Sequence, residues 1–128
     1  MNYYIETILN TDFDSAVEKT KAALSEQGFG VLSEIDIHEK LKAKLDVDFR
    51  KYKILGACNP PNAYKALQHE NKIGTMLPCN VIVQELEKGK IEVAAVDPVA
   101  SMLAVENENL TGIAEEIKSL LEKAMKAL

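Results

Sequence analysis

Apolar positions change period several times along the chain, and each change marks an element. Tyr3, Ile5 and Ile8 lie in an uncapped stretch that predicts a strand over residues 1–9. From Thr11 or Asp12 the period becomes helical, with Phe13, Ala16, Val17, Thr20, Ala23 and Leu24 on one face. Asp12, Asp14 and Glu18 sit near the positive end of that helix, and Gly28 ends it. Phe29, Val31, Ile35 and Ile37 then alternate with Gly30, Glu34 and Asp36, which predicts a second strand. A short helix over residues 38–46 turns Leu41 and Leu45 inward. Residues 50–58 form a third strand with Tyr52, Ile54 and Cys58 on its core face. A helix over 61–70 follows, then irregular chain around Gly74.

Residues 79–87 and 90–97 read as a hairpin, because β-branched runs flank the turn dipeptide Lys88-Gly89. Asn109 or Thr111 opens a last helix to Leu128, with Ile113, Ile117, Leu120, Leu121, Ala124 and Leu128 as its buried stripe. That stripe is wide enough to suggest a partner interface as well. The order β-α-β-α-β-α-β-β-α, with a hairpin, predicts an α+β two-layer sandwich. Its sheet should be mostly antiparallel or mixed, with helices packed on one face. A doubly wound parallel sheet is disfavoured, since parallel strands read as continuous apolar runs.

Composition narrows the partners. The chain has 128 residues with 15 Lys+Arg against 20 Asp+Glu, a formal charge of −5. Acidic balance argues against nucleic acid and anionic membranes, both of which demand clustered positive charge. Lys40, Lys42, Lys44, Arg50, Lys51 and Lys53 form a local basic excess diluted by Glu39, Asp46 and Asp48. Without stacking aromatics it reads as a solvated face. One domain over 1–128 is expected, in the cytoplasm, with no leader and no membrane span. Two cysteines are too few for a disulfide framework, so both are expected as thiols.

Charge is distributed unevenly. Residues 54–64 and 73–84 carry none, and residues 93–105 carry only Asp97. Together they hold both cysteines and all four prolines. Uncharged chain with a few fixed polar groups suits a small-molecule pocket, although buried strands are charge-poor for packing reasons alone. Cys58 leads into Asn59-Pro60-Pro61, a helix start whose dipole would favour a thiolate. Against reactivity, Cys58 shares a strand face with Tyr52 and Ile54, and buried cysteines are usually inert. Cys79 follows Pro78 and precedes Asn80. A metal set from Cys58, Cys79, His69 and Asp97 lacks the paired spacing of zinc ligands, so no metal or other cofactor is expected. His69 and His38 read as solvated surface histidines.

Asp97 ends an apolar strand face. A two-residue hairpin turn would pair it with Asn80 and a three-residue turn with Val81. Partial desolvation there would raise its pKa and suit a general base. The plainer reading has Asp97 capping a helical turn that begins at Pro98.

The runs Tyr52–Leu67 and Gly74–Glu85, with Val96-Asp97-Pro98, resemble the DUF302 domain over nearly the whole chain. The resemblance implies a small α+β domain that forms homodimers, in a family of unknown function. It leaves Asn59-Pro60, Leu77-Pro78 and Asp97-Pro98 as the shared elements. The leading expectation is a homodimeric small-ligand-binding or accessory module, with Asn59, Pro60, Pro78, Asn80 and Asp97 at the ligand. The alternative is a thiol-dependent redox or sulfur-handling protein using Cys58 and Cys79. Candidates for any catalysis are Cys58, Cys79 and Asp97.

Overall fold

A computed structural model describes residues 2–128. Five strands, β1 (Tyr4–Leu9), β2 (Gly30–Asp36), β3 (Tyr52–Cys58), β4 (Cys79–Glu87) and β5 (Lys90–Val96), form one sheet in the order β1-β5-β4-β3-β2. Every neighbouring pair is antiparallel, so the expected α+β sandwich holds and the parallel alternative falls. The helices are α1 (Phe13–Glu26), α2 (Ile37–Leu45), α3 (Pro60–His69), α4 (Pro98–Ser101) and α5 (Thr111–Lys126). Met1 lies outside the described residues, and the first strand begins at Tyr4.

Local chemistry sets the ends. Asp12 accepts from the Ser15 N–H at 3.0 Å and caps α1, while Gly28, at φ +83°, takes the left-handed conformation that closes it. Asn59 caps α3 one residue earlier than the sequence predicts, placing both Pro60 and Pro61 in the first turn.

The main core lies between the sheet and the pair α1 and α5. Leu24 from α1, Leu55 and Ala57 from β3, Val81 and Val83 from β4, and Leu121 from α5 meet there. The apolar stripe of α5 is therefore spent inside the chain's own core rather than offered to a partner. A smaller cluster of Ala66, Ile73, Met102, Leu110 and Ala114 joins α3 to α5.

Four expectations fail, each for a local reason. Leu45 is 65% exposed and α2 buries no residue, because α2 lies off the sheet beside β3. A bulge between Val31 and Ser33 reverses the faces of β2, leaving Ile35 exposed and turning Glu34 towards Lys21 of α1. The core face of β3 is Leu55 and Ala57, so Tyr52, Ile54 and Cys58 point away from the helices. His38 is also half-buried rather than solvated. Its Nδ1 accepts the Tyr52 N–H at 3.0 Å, and its ring stands edge-on to Phe13.

Candidate functional site

Cys58 ends β3, Cys79 opens β4 and Asp97 follows β5, so antiparallel order gathers all three at one end of the sheet. They do not form one site. Ala57 pairs with Cys79, which puts Cys79 on the core face and Cys58, the next residue along, on the other. Cys79 is buried, and burial pushes its thiol up to about 11, with the neighbouring Cys58 adding to the rise. Both cysteines are free thiols. Nothing in this arrangement supports the thiol-redox alternative. In the folded protein at pH 7.5, iodoacetamide is expected to leave Cys79 unmodified, with labelling only after denaturation, as mass spectrometry would record. Rapid native alkylation of Cys79 would contradict its burial.

The hairpin settles the company of Asp97 differently from either predicted register. Glu87 pairs with Lys90 across the two-residue turn, but a bulge at Leu86 shifts the ladder so that Val81 faces Ala95. Continued in that register, residue 97 comes level with Cys79, one residue past the end of β5. Asp97 itself caps α4, accepting from the N–H of Val99 at 2.9 Å and of Ala100 at 3.3 Å. Its other oxygen holds the Lys118 ammonium at 3.0 Å. Burial pushes the carboxyl up, but the Lys118 contact and the two N–H donors outweigh it and hold the group below the ordinary carboxylate range. The expected raised value is thus reversed, and with it the case for a general base.

A stability test follows from that sign. Because the folded value is lowered, the stabilisation is complete above the unfolded carboxyl value of about 3.9 and is lost as pH falls through the folded value. Asp97→Asn keeps a capping oxygen and loses the charge. Its deficit against the parent in urea unfolding is expected to shrink from pH 6 to pH 3. Asp97→Ala also loses the cap, at about 1–2 kcal/mol.

Asn59 accepts from the backbone and side chain of Asn62 at 3.3 and 3.1 Å, a local cap rather than a ligand contact. Pro60 is exposed in that first turn, and Pro78 packs over Gly56. His69 is exposed, and among the described residues no three His, Cys, Asp or Glu side chains group as metal ligands.

Of the predicted ligand residues, only Asn80 lines a large cavity. That cavity, about 440 Å³, lies on the sheet face opposite α1 and α5. The ladder builds its floor: Ile82, Ala94 and Glu6 fall in one row, which Ile54 continues onto β3. Tyr52, Gln84 and Glu92 form the next row. Arg50 Nε donates to Gln84 Oε1 at 2.8 Å, and Gln84 Nε2 donates to Glu92 Oε1 at 2.7 Å. The Arg50 guanidinium lies 4.4 Å from the Phe49 ring centroid and 5.8 Å from that of Tyr52. The neighbouring Glu92 carboxyl pushes the Glu6 carboxyl up, with desolvation adding to the rise. Tyr4 also lines this groove, beside Tyr3.

The sequence carried a signal for this groove in the alternate residues of β4 and β5. Asn80, Ile82, Gln84, Glu92, Ala94 and Val96 are neither uniformly polar nor uniformly apolar. A second cavity of about 340 Å³ lies between α4 and the start of α5, lined by Val99, Met102, Leu110 and Ala114 among others. It holds fewer fixed polar groups.

The family model described as a domain of unknown function, DUF302, matches residues 5–128. The chain belongs to the DUF302 family. Among solved structures it is similar to an uncharacterised conserved DUF302 protein from Bacillus stearothermophilus, at 26% identity and a TM-score of 0.91. That match covers 99% of this chain and 98% of the other. Comparison with curated proteins returned no match. DUF302 membership thus fixes the fold and names no activity. Among the described residues no helix is long and apolar enough to cross a membrane.

Proposed function

We propose that this DUF302 protein is a homodimeric small-ligand-binding module of the cytoplasm, with the ligand on the helix-free face of its sheet. The observation that carries this reading is the groove over Ile82 and Ala94. Its volume falls within the range of small-molecule sites, and it joins an apolar floor to a few fixed polar groups. Gln84 is only 9% exposed, although it sits on a face with no helix over it. The polar groups around it are held by one another, an arrangement that preorganises a site before any ligand arrives.

Filling the groove tests the reading. Ala94→Phe places a ring over the floor without entering the core. Ligand-observed NMR against a fragment set should give hits with the parent that are lost in Ala94→Phe, while the thermal midpoint stays within a few degrees. Hits that persist with the groove filled would count against it.

The dimer rests on charge and exposed apolar surface. Residues 37–53 carry six Lys/Arg against three Asp/Glu, and the remaining chain carries nine against seventeen. A basic segment on an acidic body is complementary to a second copy of itself. Edge strand β2 beside it leaves Leu32 70% exposed, and Leu45 and Val47 are exposed on the basic segment itself. Sedimentation velocity is expected to show a dimer that weakens at high salt and dissociates in Leu32→Glu/Leu45→Glu. A monomer at every concentration would contradict it.

A further inference from the structure

The groove on the helix-free face holds charges of both signs that do not neutralise one another. Arg50 makes no ion pair among the described residues, although Glu92 belongs to the same hydrogen-bonded chain. Gln84 separates them. It accepts from Arg50 through one atom of its amide and donates to Glu92 through the other, so it orients both ends while keeping them apart. A Gln at this position, nine-tenths buried and bonded on both sides, fixes the spacing between guanidinium and carboxylate.

The guanidinium is further held against Phe49 and beside Tyr52, with its terminal nitrogens left over after Nε has bonded Gln84. Those nitrogens form the planar fork that binds a carboxylate through two parallel hydrogen bonds. At the other end, Glu6 on β1 faces Ala94, one place along the same sheet face from Glu92 on β5, and both carboxyls line the groove as acceptors for a bound cation. Between the two ends lies the flat floor of Ile82 and Ala94, with Tyr4 also on the lining.

From this geometry we propose that the ligand is a small amphoteric molecule. Its carboxylate binds Arg50, its protonated amine binds Glu6 and Glu92, and a flat apolar body bridges them over Ile82 and Ala94. The inference rests on the ligand-binding reading above and narrows it to a chemical class. An acidic pair alone could hold any cation, and a lone arginine any anion. Both signs at a spacing fixed by Gln84 select a ligand that carries both.

Three probes of common shape separate the cases: 4-(aminomethyl)benzoate, benzoate and benzylamine, each titrated into the labelled full chain by NMR. The two-ended probe is expected to bind at least about tenfold more tightly than either one-ended probe, as a second charge-assisted contact allows. Arg50→Ala should reduce it to the affinity of benzylamine, and Glu92→Gln to that of benzoate. Glu6→Gln leaves the Gln84–Glu92 bond in place and should weaken the two-ended probe severalfold, separating lost charge from a disturbed sheet. Equal affinity for a one-ended probe, or indifference to Arg50→Ala, would overturn the amphoteric class. Failure of all three while other fragments shift Ile82 and Ala94 would overturn the class and leave the groove as a ligand site. Shifts centred elsewhere would remove both.

Discussion

Leu121→Ala is expected to destabilise the domain by about 3–4 kcal/mol. Leu121 is fully buried on α5, in the core that this helix shares with α1 and the sheet. Its removal forfeits transfer free energy and leaves a cavity that helix and sheet, each held by its own hydrogen bonds, can close only in part. Equilibrium urea unfolding would measure the loss as a lower midpoint with an unchanged slope. A cost below about 1 kcal/mol would mean that α5 does not pack as described. The contrast with α2 sharpens the test: Leu45→Ala, at 65% exposure, should cost little in the monomer.

Gly56→Ala is the second, at about 1–3 kcal/mol. Gly56 lies on β3, opposite Asn80 on one side and Ser33 on the other. A Cβ at this position would run into Ser33 Oγ and stand 2.9 Å from Pro78 Cγ. The serine hydroxyl can rotate aside. The proline ring is closed and attached to the chain at both ends, so relief there requires the backbone to move. The expected signature is therefore a coupling. Ser33→Ala should restore little of the lost stability, whereas Pro78→Ala should restore most of the part that Gly56→Ala removes, as a double-mutant cycle reads it. Full rescue by Ser33→Ala alone would show that the proline is not the obstacle. In the absence of Cβ at position 56, Pro78 closes over the strand at the end of the sheet where β4 begins.

The strands and helices were legible because the chain states its period clearly in most places. Phe13 to Leu24 could only be a helix with one buried face, and Val81 to Val83 and Ile91 to Ala95 could only be the two arms of a hairpin. Faces were harder than elements. On β3, Tyr52 and Ile54 alternate with Leu55 and Ala57, so apolar residues occupy both sides and period two does not say which side meets the helices. On β2 and β4 the bulges at residues 32 and 86 add a residue to one strand, and alternation reverses beyond them. No residue type announces such an insertion. The candidate site suffered from both effects. Absence of charge pointed to the end of the sheet around Cys58, Cys79 and Asp97, where the reason is burial and capping. The groove uses Arg50, Gln84, Glu92 and Glu6, which come from four separate segments and meet only because β1 lies beside β5. Sheet order was the missing information, and of the groove's residues the sequence points to Asn80 alone.

The central claim is that the helix-free face is the ligand-binding face. Its most direct test is the amide chemical-shift map of the isotopically labelled protein during titration with small fragments. The largest shifts are predicted at Tyr52, Ile82, Gln84 and Ala94, saturating together with one dissociation constant and vanishing in Ala94→Phe. Shifts centred on Met102, Leu110 and Ala114 would move the site to the cavity between α4 and α5 and contradict the account.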